Sequence, residues 1–294
     1  MASLVAFSRP HTIIGTTLSV LALAILAALQ TGAAPAPIDV AAVVVGSLAV
    51  NVYIVGLNQL TDVDIDRINK PWLPLASGAL TMRQGRALVI GSALLATAIG
   101  LGVGPYAFGA FALGAAVGTA YSLPPLRLKR SALWAALSIA GVRGLVVNLL
   151  LYLHFATGSG GPPTFSPPLI VLTAVVLAIS LVIAWFKDIP DADGDRRFHV
   201  RTLTLRLGAR RVLILGLAVL ALAYGAVIVA GLVGVPGLHG GVLAVAHLVA
   251  LIVLLAAGTR VDLRRRPSIA RFYLVIWALF YAEYVMLPSA ALLA

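Results

Sequence analysis

Two short segments concentrate the acid of this chain. Asn58-Gln59-Leu60-Thr61-Asp62-Val63-Asp64-Ile65-Asp66 and Lys187-Asp188-Ile189-Pro190-Asp191-Ala192-Asp193-Gly194-Asp195 hold seven of the ten Asp and Glu residues among 294. Asn58, Asp62 and Asp66 recur at i, i+4, i+8, and Asp188, Asp191 and Asp195 at i, i+3, i+7. On a helix each set falls on one face. Asp64 and Asp193 point off those faces, and Pro190 and Gly194 distort the second helix near its end. Hard oxygens at these spacings suit Mg²⁺, which takes one or two carboxylates and completes its shell with water and substrate phosphates. Asn58, Asp62, Asp66, Asp188, Asp191 and Asp195 are therefore the candidate catalytic and metal-ligating residues, with a diphosphate as substrate. The plain alternative is a solvated acidic loop capping helices. It leaves unexplained why a chain so poor in acid repeats the pattern twice beside long apolar runs.

A diphosphate also needs cations. Lys129 and Arg130 close the segment Tyr121–Arg130, whose Pro124-Pro125 pair is expected to hold it extended so that it folds back over the site. Lys187 adjoins Asp188, Arg67 follows Asp66, and Arg201 and Arg206 follow the second cluster. Lys129, Arg130, Lys187, Arg67 and Arg201 are the diphosphate-binding candidates. Setting topology is the alternative role for Arg127 and Lys129, and the better one for Arg264-Arg265-Arg266. Arg143 stands apart. It lies mid-span, where a charge is costly and is usually retained for function. A guanidinium there offers a bidentate fork to a substrate carboxylate, with Tyr121 and Asn148 as candidate neighbours in acceptor binding. The competing role is a structural ion pair with Glu283, the acid deep in another span. His154 reads as structural. His11 and His199 lie near the acidic side and are weak signals.

The elements that must position these residues are membrane spans. The chain is 61% hydrophobic and 11% charged, with mean hydropathy +1.04, which excludes a soluble domain of this size. With no cysteine, it has neither disulfides nor thiol chemistry. About nine apolar segments run near 12–29, 39–57, 86–103, 105–121, 131–153, 168–187, 211–233, 241–257 and 271–292. The third and fourth, separated by Gly102-Val103-Gly104-Pro105, form a tight hairpin. Residues 1–294 read as a single all-α domain, a polytopic membrane bundle of about nine transmembrane helices around a central cavity open to the cytoplasmic side. The net charge of +11 does not indicate nucleic acid. Apart from Arg143, every Lys and Arg falls in alternate loops. The positive-inside rule then puts the N-terminus and both acidic clusters in the cytoplasm and the C-terminus outside. Leu80–Gly85 and Leu203–Gly208 look like a diverged repeat, as two halves facing across one cavity would give. No cleavable leader is evident.

The two acidic segments resemble the paired signatures of the UbiA superfamily of intramembrane prenyltransferases, and the resemblance runs from about residue 8 to 288. Asn69-Lys70-Pro71-Trp72-Leu73-Pro74-Leu75-Ala76-Ser77-Gly78, Phe186–Asp191 and Val142–Asn148 resemble the homogentisate prenyltransferases. This implies transfer of a phytyl, geranylgeranyl or solanesyl group from its diphosphate to an aromatic ring in the lipid bilayer. Mg²⁺ held by both clusters would help the diphosphate leave, an allylic cation would be shielded from water, and with homogentisate as acceptor CO₂ would be lost on the way to tocopherol or plastoquinone. The absence of a transit extension points to a bacterial cell membrane or a thylakoid-type membrane. Other acceptors of the superfamily (4-hydroxybenzoate, a naphthoate, a glyceryl phosphate, a chlorophyllide) fit the last three stretches less well. From a different class, a cation transporter would place its acids deep within the spans, not at their edge.

Overall fold

The structure is a computed structural model that describes residues 2–294; it is helical, with no strand among the described residues. After α1 (Ala2–Phe7) come α2 (Pro10–Thr31), α3 (Pro37–Thr61) and the short α4 (Val63–Asn69). Then follow α5 (Met82–Val103) and α6 (Pro105–Ser122). Next, α7 (Ala132–Ala140) and α8 (Val147–Gly158) flank a π-helical turn, Gly141–Val146. The chain continues through α9 (Pro167–Phe186), α10 (Ala192–Arg197), α11 (Leu203–Leu207), α12 (Ala209–Val233), α13 (Gly240–Gly258) and α14 (Arg266–Leu292).

All nine expected apolar segments are helical. Among the described residues eight are long and apolar enough to cross a membrane: α2, α3, α5, α7 through α8, α9, α12, α13 and α14. The ninth, α6, has 18 residues, and its glycines and tyrosines dilute its apolarity. It packs inside the bundle against α3, α5 and α8.

Local chemistry sets the helix ends. Proline opens α2, α3, α6 and α9, where its missing N–H is no loss. Thr81 and Gln84 form a capping box at the start of α5. The expected repeat aligns Thr81 with Thr204, but the residue that caps α11 is Thr202, and Thr204 lies buried within that helix. The two acidic halves are therefore not related by that register. Gly104, at φ +130°, reverses the chain between α5 and α6 as the hairpin reading expected.

α9 is the most enclosed span and packs on α7, the π turn, α12 and α14. Burial in lipid offers no hydrophobic drive between helices, so shape and polar links carry the association. Two such links lie away from the acidic clusters. His154 on α8 meets both carboxylate oxygens of Asp39 on α3, at 3.1 and 3.0 Å, which fits its structural reading. Glu283 on α14 pairs with His247 on α13 at 3.1 Å, both fully buried. His247 Nδ1 bonds the Leu243 carbonyl at 2.8 Å, which turns Nε2 toward the acid. The expected alternative, Glu283 paired with Arg143, is not what forms.

Removing one member of a buried pair leaves the other uncompensated. His247→Leu is expected to cost about 3 kcal/mol, and the double variant His247→Leu/Glu283→Leu to recover most of it. Thermal unfolding in detergent of both single variants and the double variant checks this; strictly additive losses would show that the pair is uncoupled.

Candidate functional site

The first acidic motif does not run along one helix. α3 ends at Thr61, Asp62 takes φ −119° and ψ 16°, and α4 starts at Val63. The second motif leaves α9 at Phe186 and turns through residues 187–191; Asp191 is the N-cap of α10. Both breaks turn the acids inward. Asp62, Asp66, Asp188, Asp191 and Asp195 line one chamber of about 1140 Å³, with Asn58 at its inner end. A clasp holds the segments together. Asn69 Oδ1, at the end of α4, accepts a hydrogen bond from the Gly194 N–H at 3.0 Å. A Cβ at Gly194 would collide with the Asn69 side chain, so only glycine permits the approach. Beside it, Lys70 forms an ion pair with Asp191 across the two segments.

Cations reach the acids from elsewhere in the chain. Lys129 Nζ lies 2.7 Å from Asp62 Oδ1 and donates to Thr61 Oγ1 at 2.7 Å. Arg127 lies 3.7 Å from Asp62, and Asn58 Nδ2 donates to Asp62 Oδ2 at 2.9 Å. The loop carrying these cations turns at Pro124-Pro125 instead of running extended, yet it does fold over the site. It is pinned there by the Arg201 N–H donating to the Arg130 carbonyl at 3.1 Å. Lys187 Nζ donates to the Tyr121 hydroxyl at 2.7 Å and sits 3.6 Å from Asp188. Arg9 and Arg127 also adopt positive φ, a strain that clusters at working sites.

Burial pushes the Asp66 carboxyl up to about 6, against the pull of Lys70 and Arg9. Burial, then the Asp188 and Asp191 carboxylates, pushes Asp195 up to about 7, and burial raises Asp188 too. Burial lowers the Lys129 ammonium while Asp62 holds it up. Asp66 Oδ2 is buried with no hydrogen-bond partner. This chamber is thus short of positive charge where its carboxylates meet, and a divalent cation there would return them to the ionised form. Among the described residues no group of three His, Cys, Asp or Glu converges into a metal cage. An all-oxygen set that leaves most of the shell to water and phosphate fits Mg²⁺, which rarely uses such cages.

A second chamber, about 250 Å³, lies deeper among α2, α3, α6, the π turn and α14. Asn58, Tyr121, Lys187, Arg9, His11, Tyr273 and Trp277 border both chambers and form a neck between them. The π turn carries Arg143 into the inner chamber, as such turns often do at functional positions. Its guanidinium lies over the rings of Trp277, at 4.9 Å, and Phe280, at 5.3 Å. Its Nη1 is buried without a hydrogen-bond partner. Asn148 is not in the wall: it is fully buried and accepts from the Tyr284 hydroxyl at 3.0 Å.

The structure brings Lys129, Arg130, Lys187 and Tyr121 to the site. It does not bring Arg67, which is exposed and paired with Asp64 at 2.9 Å, or Arg201, which contributes only its backbone. Asp64 and Asp193 are exposed, the latter paired with Arg266 at 2.9 Å; Asp64, expected to point away, still borders the rim of the outer chamber. Gln59, inside the first motif, donates to the Phe7 carbonyl at 2.8 Å and anchors α1. Sequence reasoning missed Lys70, Arg9 and Trp277. Lys70 had a signal: it continues the four-residue spacing of Asn58, Asp62 and Asp66. For Arg9 and Trp277, remote in sequence, there was none.

A family model described as the UbiA prenyltransferase family matches residues 18–282. The chain is 47% identical to the homogentisate phytyltransferase of Synechocystis sp., over 97% of this chain and 94% of that one. It is 42% identical to homogentisate phytyltransferase 1, chloroplastic, of Arabidopsis thaliana, over 96% of this chain and 73% of that one. A solved UbiA homologue from Archaeoglobus fulgidus, bound to GPP and Mg²⁺, matches with a TM-score of 0.66 at 15% identity, covering 98% of this chain and 99% of that one. At that identity the likeness shows the fold.

Asn69→Ala and Gly194→Ala should each release the clasp. Losing a buried hydrogen bond worth roughly 1 kcal/mol should speed tryptic cleavage between residues 187 and 211 about fivefold, while the thermal transition of the bundle stays in place. Unchanged cleavage in both variants would show that the clasp does not restrain the second acidic segment.

Proposed function

The chain belongs to the UbiA prenyltransferase family and is a prenyltransferase; we propose that its acceptor is homogentisate and its donor phytyl, geranylgeranyl or solanesyl diphosphate. The reaction is Mg²⁺-dependent, loses the acceptor's carboxyl as CO₂ and serves tocopherol or plastoquinone-type quinone synthesis. One observation carries the acceptor assignment. Among the described residues the inner chamber is lined by Arg9, Arg143 and Lys187 and by no carboxylate. A buried guanidinium with a free Nη1 calls for an anion, since leaving it unpaired costs several kcal/mol. Homogentisate supplies a carboxylate on an aromatic ring, and the Trp277 and Phe280 rings, 4.9 and 5.3 Å from the guanidinium, support the charge that would receive it. The names of the two relatives reported above support the same acceptor.

On this reading the donor's diphosphate occupies the outer chamber. Asp62, Asp66, Asp188, Asp191 and Asp195, with Asn58, would hold Mg²⁺, which would supply charge neutralisation to a leaving diphosphate. Lys129, Arg130, Lys187 and Lys70 face its oxygens. The allylic carbon then lies at the neck, against the ring held in the inner chamber. The C–O bond breaks, the ring attacks the allylic cation, and the bundle keeps water from quenching it. The prenyl tail leaves along the apolar wall of the outer chamber, where Ala135 and Leu274 sit. Residues 1–294 act as one domain. The N-terminus and the acidic segments face the cytoplasm, in a bacterial cell membrane or a thylakoid-type membrane, because the Lys- and Arg-bearing loops gather at that end.

Arg143→Leu should raise the KM for a carboxylate-bearing acceptor about 10- to 100-fold, the worth of a charge-assisted bond, and leave the donor KM unchanged. Separate titration of the two substrates decides it; an unchanged acceptor KM would remove the assignment. For the metal, chelation should abolish turnover and added Mg²⁺ restore it. Asp62→Ala and Asp191→Ala should each lose about 10³-fold in kcat. Asp64→Ala should stay within a few-fold of wild type, since its side chain points to solvent. Equal losses at Asp62 and Asp64 would contradict the site.

A further inference from the structure

His11 stands at the neck, first turn of α2, and has no role in the reading above. Its ring packs edge-on against Trp277 at 4.8 Å between centroids, the same indole that carries the Arg143 guanidinium at 4.9 Å. Its backbone is fixed: the His11 carbonyl accepts from the Tyr281 hydroxyl at 2.6 Å. Among the described residues neither ring nitrogen is hydrogen-bonded to another group, so Trp277 holds the imidazole by shape and leaves its nitrogens available. His11 and Arg143 thus share one wall of the space where the acceptor ring is placed.

The chemistry there requires a base. When the allylic carbon bonds to a ring carbon, that carbon becomes tetrahedral and must lose its proton for the ring to regain aromaticity. The titratable lining of the inner chamber is Arg9, Arg143, Lys187, Tyr121, Tyr273, Tyr284 and His11. Arginine and lysine are already protonated, and tyrosine at neutral pH is an acid. Among the described residues no carboxylate lines the inner chamber; the aspartates lie in the outer one, where Asp62 and Asp191 are paired with Lys129 and Lys70. Among the described residues of this wall, imidazole is the one side chain whose ordinary basicity suits taking up a proton near neutral pH.

We propose that His11 is the general base of the transfer. The ring carbon forms its bond to the prenyl carbon as the prenyl C–O bond breaks and diphosphate leaves; the proton on that ring carbon then passes to a His11 ring nitrogen, and from there to the departing diphosphate across the neck. The electron pair of the broken C–H bond restores the ring. This rests on the placement of acceptor and donor in the two chambers given above.

The test uses the full-length purified protein with homogentisate carrying hydrogen or deuterium at its ring positions. In His11→Asn and His11→Gln, kcat should fall about 10²-fold or more, as expected for loss of a general base, with both KM values near wild type. Proton loss should then limit the rate, so a primary ring-deuterium isotope effect appears in the variants where wild type shows none. Release of diphosphate should outrun formation of prenylated product, since the C–O bond still breaks. A raised acceptor KM without an isotope effect would make His11 a binding residue and overturn the proposal. Loss of the thermal transition in both variants would make it structural, with the same consequence. If wild type prenylates another aromatic acid and not homogentisate, the acceptor assignment fails, and the same measurements on that acid still decide His11.

Discussion

A carboxylate taken out of water needs a partner, and at the edge of an apolar bundle this requirement organises the site. An isolated buried ion costs several kcal/mol, far more than any single packing contact returns. Six aspartates line the outer chamber, Asp64 at its exposed rim, and the chain answers the buried ones with cations from separate places: Lys70 after α4, Arg127 and Lys129 before α7, and Lys187 at the end of α9. The bridges of Lys70, Arg127 and Lys129 join segments distant in sequence and bring four loops to one point. The balance is incomplete, as the orphaned Asp66 Oδ2 and the raised Asp195 carboxyl show. A site built this way is stable enough to form and still short of positive charge. On the proposed reading, metal and diphosphate complete it by exchanging partners with ions already in place.

The inner chamber reverses the sign. Among the described residues it has cations and no acid, and aromatic rings supply the apolar wall that an arginine at this depth needs. The π turn matters here because it breaks the regular advance of side chains along a span and carries Arg143 inward while keeping the span continuous. Asn148 shows the other outcome of the same stretch. It turns to Tyr284 and ties α8 to α14, behind the wall that Arg143 faces. The Glu283–His247 pair likewise serves the packing of α13 on α14 and stays outside both chambers. Polar groups within the bundle thus divide into those that hold helices together and those that face the cavities. Burial alone does not tell them apart; the partner does.

What could be read in the sequence followed from local rules. The apolar lengths fixed the helices, Gly104 the hairpin, and the acid spacing which aspartates turn inward and which outward. That reading survived an error in its premise: Asn58, Asp62 and Asp66 do not share one helix, because α3 stops at Thr61. Asn58, Asp62 and Asp66 still line one chamber, because the chain breaks only at Asp62 and α4 starts at the next residue. Expectations about pairing were less durable. Arg67 and Arg201 lie next to the acids in sequence and were read as part of the site, but a neighbour in the chain need not face the same way, and both point out.

By itself the sequence determined an all-helical membrane bundle, two inward acidic faces and one misplaced arginine, since hydropathy and spacing act over a few turns and need no knowledge of the rest of the chain. The tertiary structure alone decided who meets whom. Lys70 and Asp191 are 121 residues apart, Asn69 and Gly194 are 125 apart, and His11 reaches Trp277 from the opposite end of the molecule. No local period encodes such pairs; they exist because α2, α3, α9 and α14 pack around one cavity, and only that packing settles which charge faces a substrate and which faces another helix.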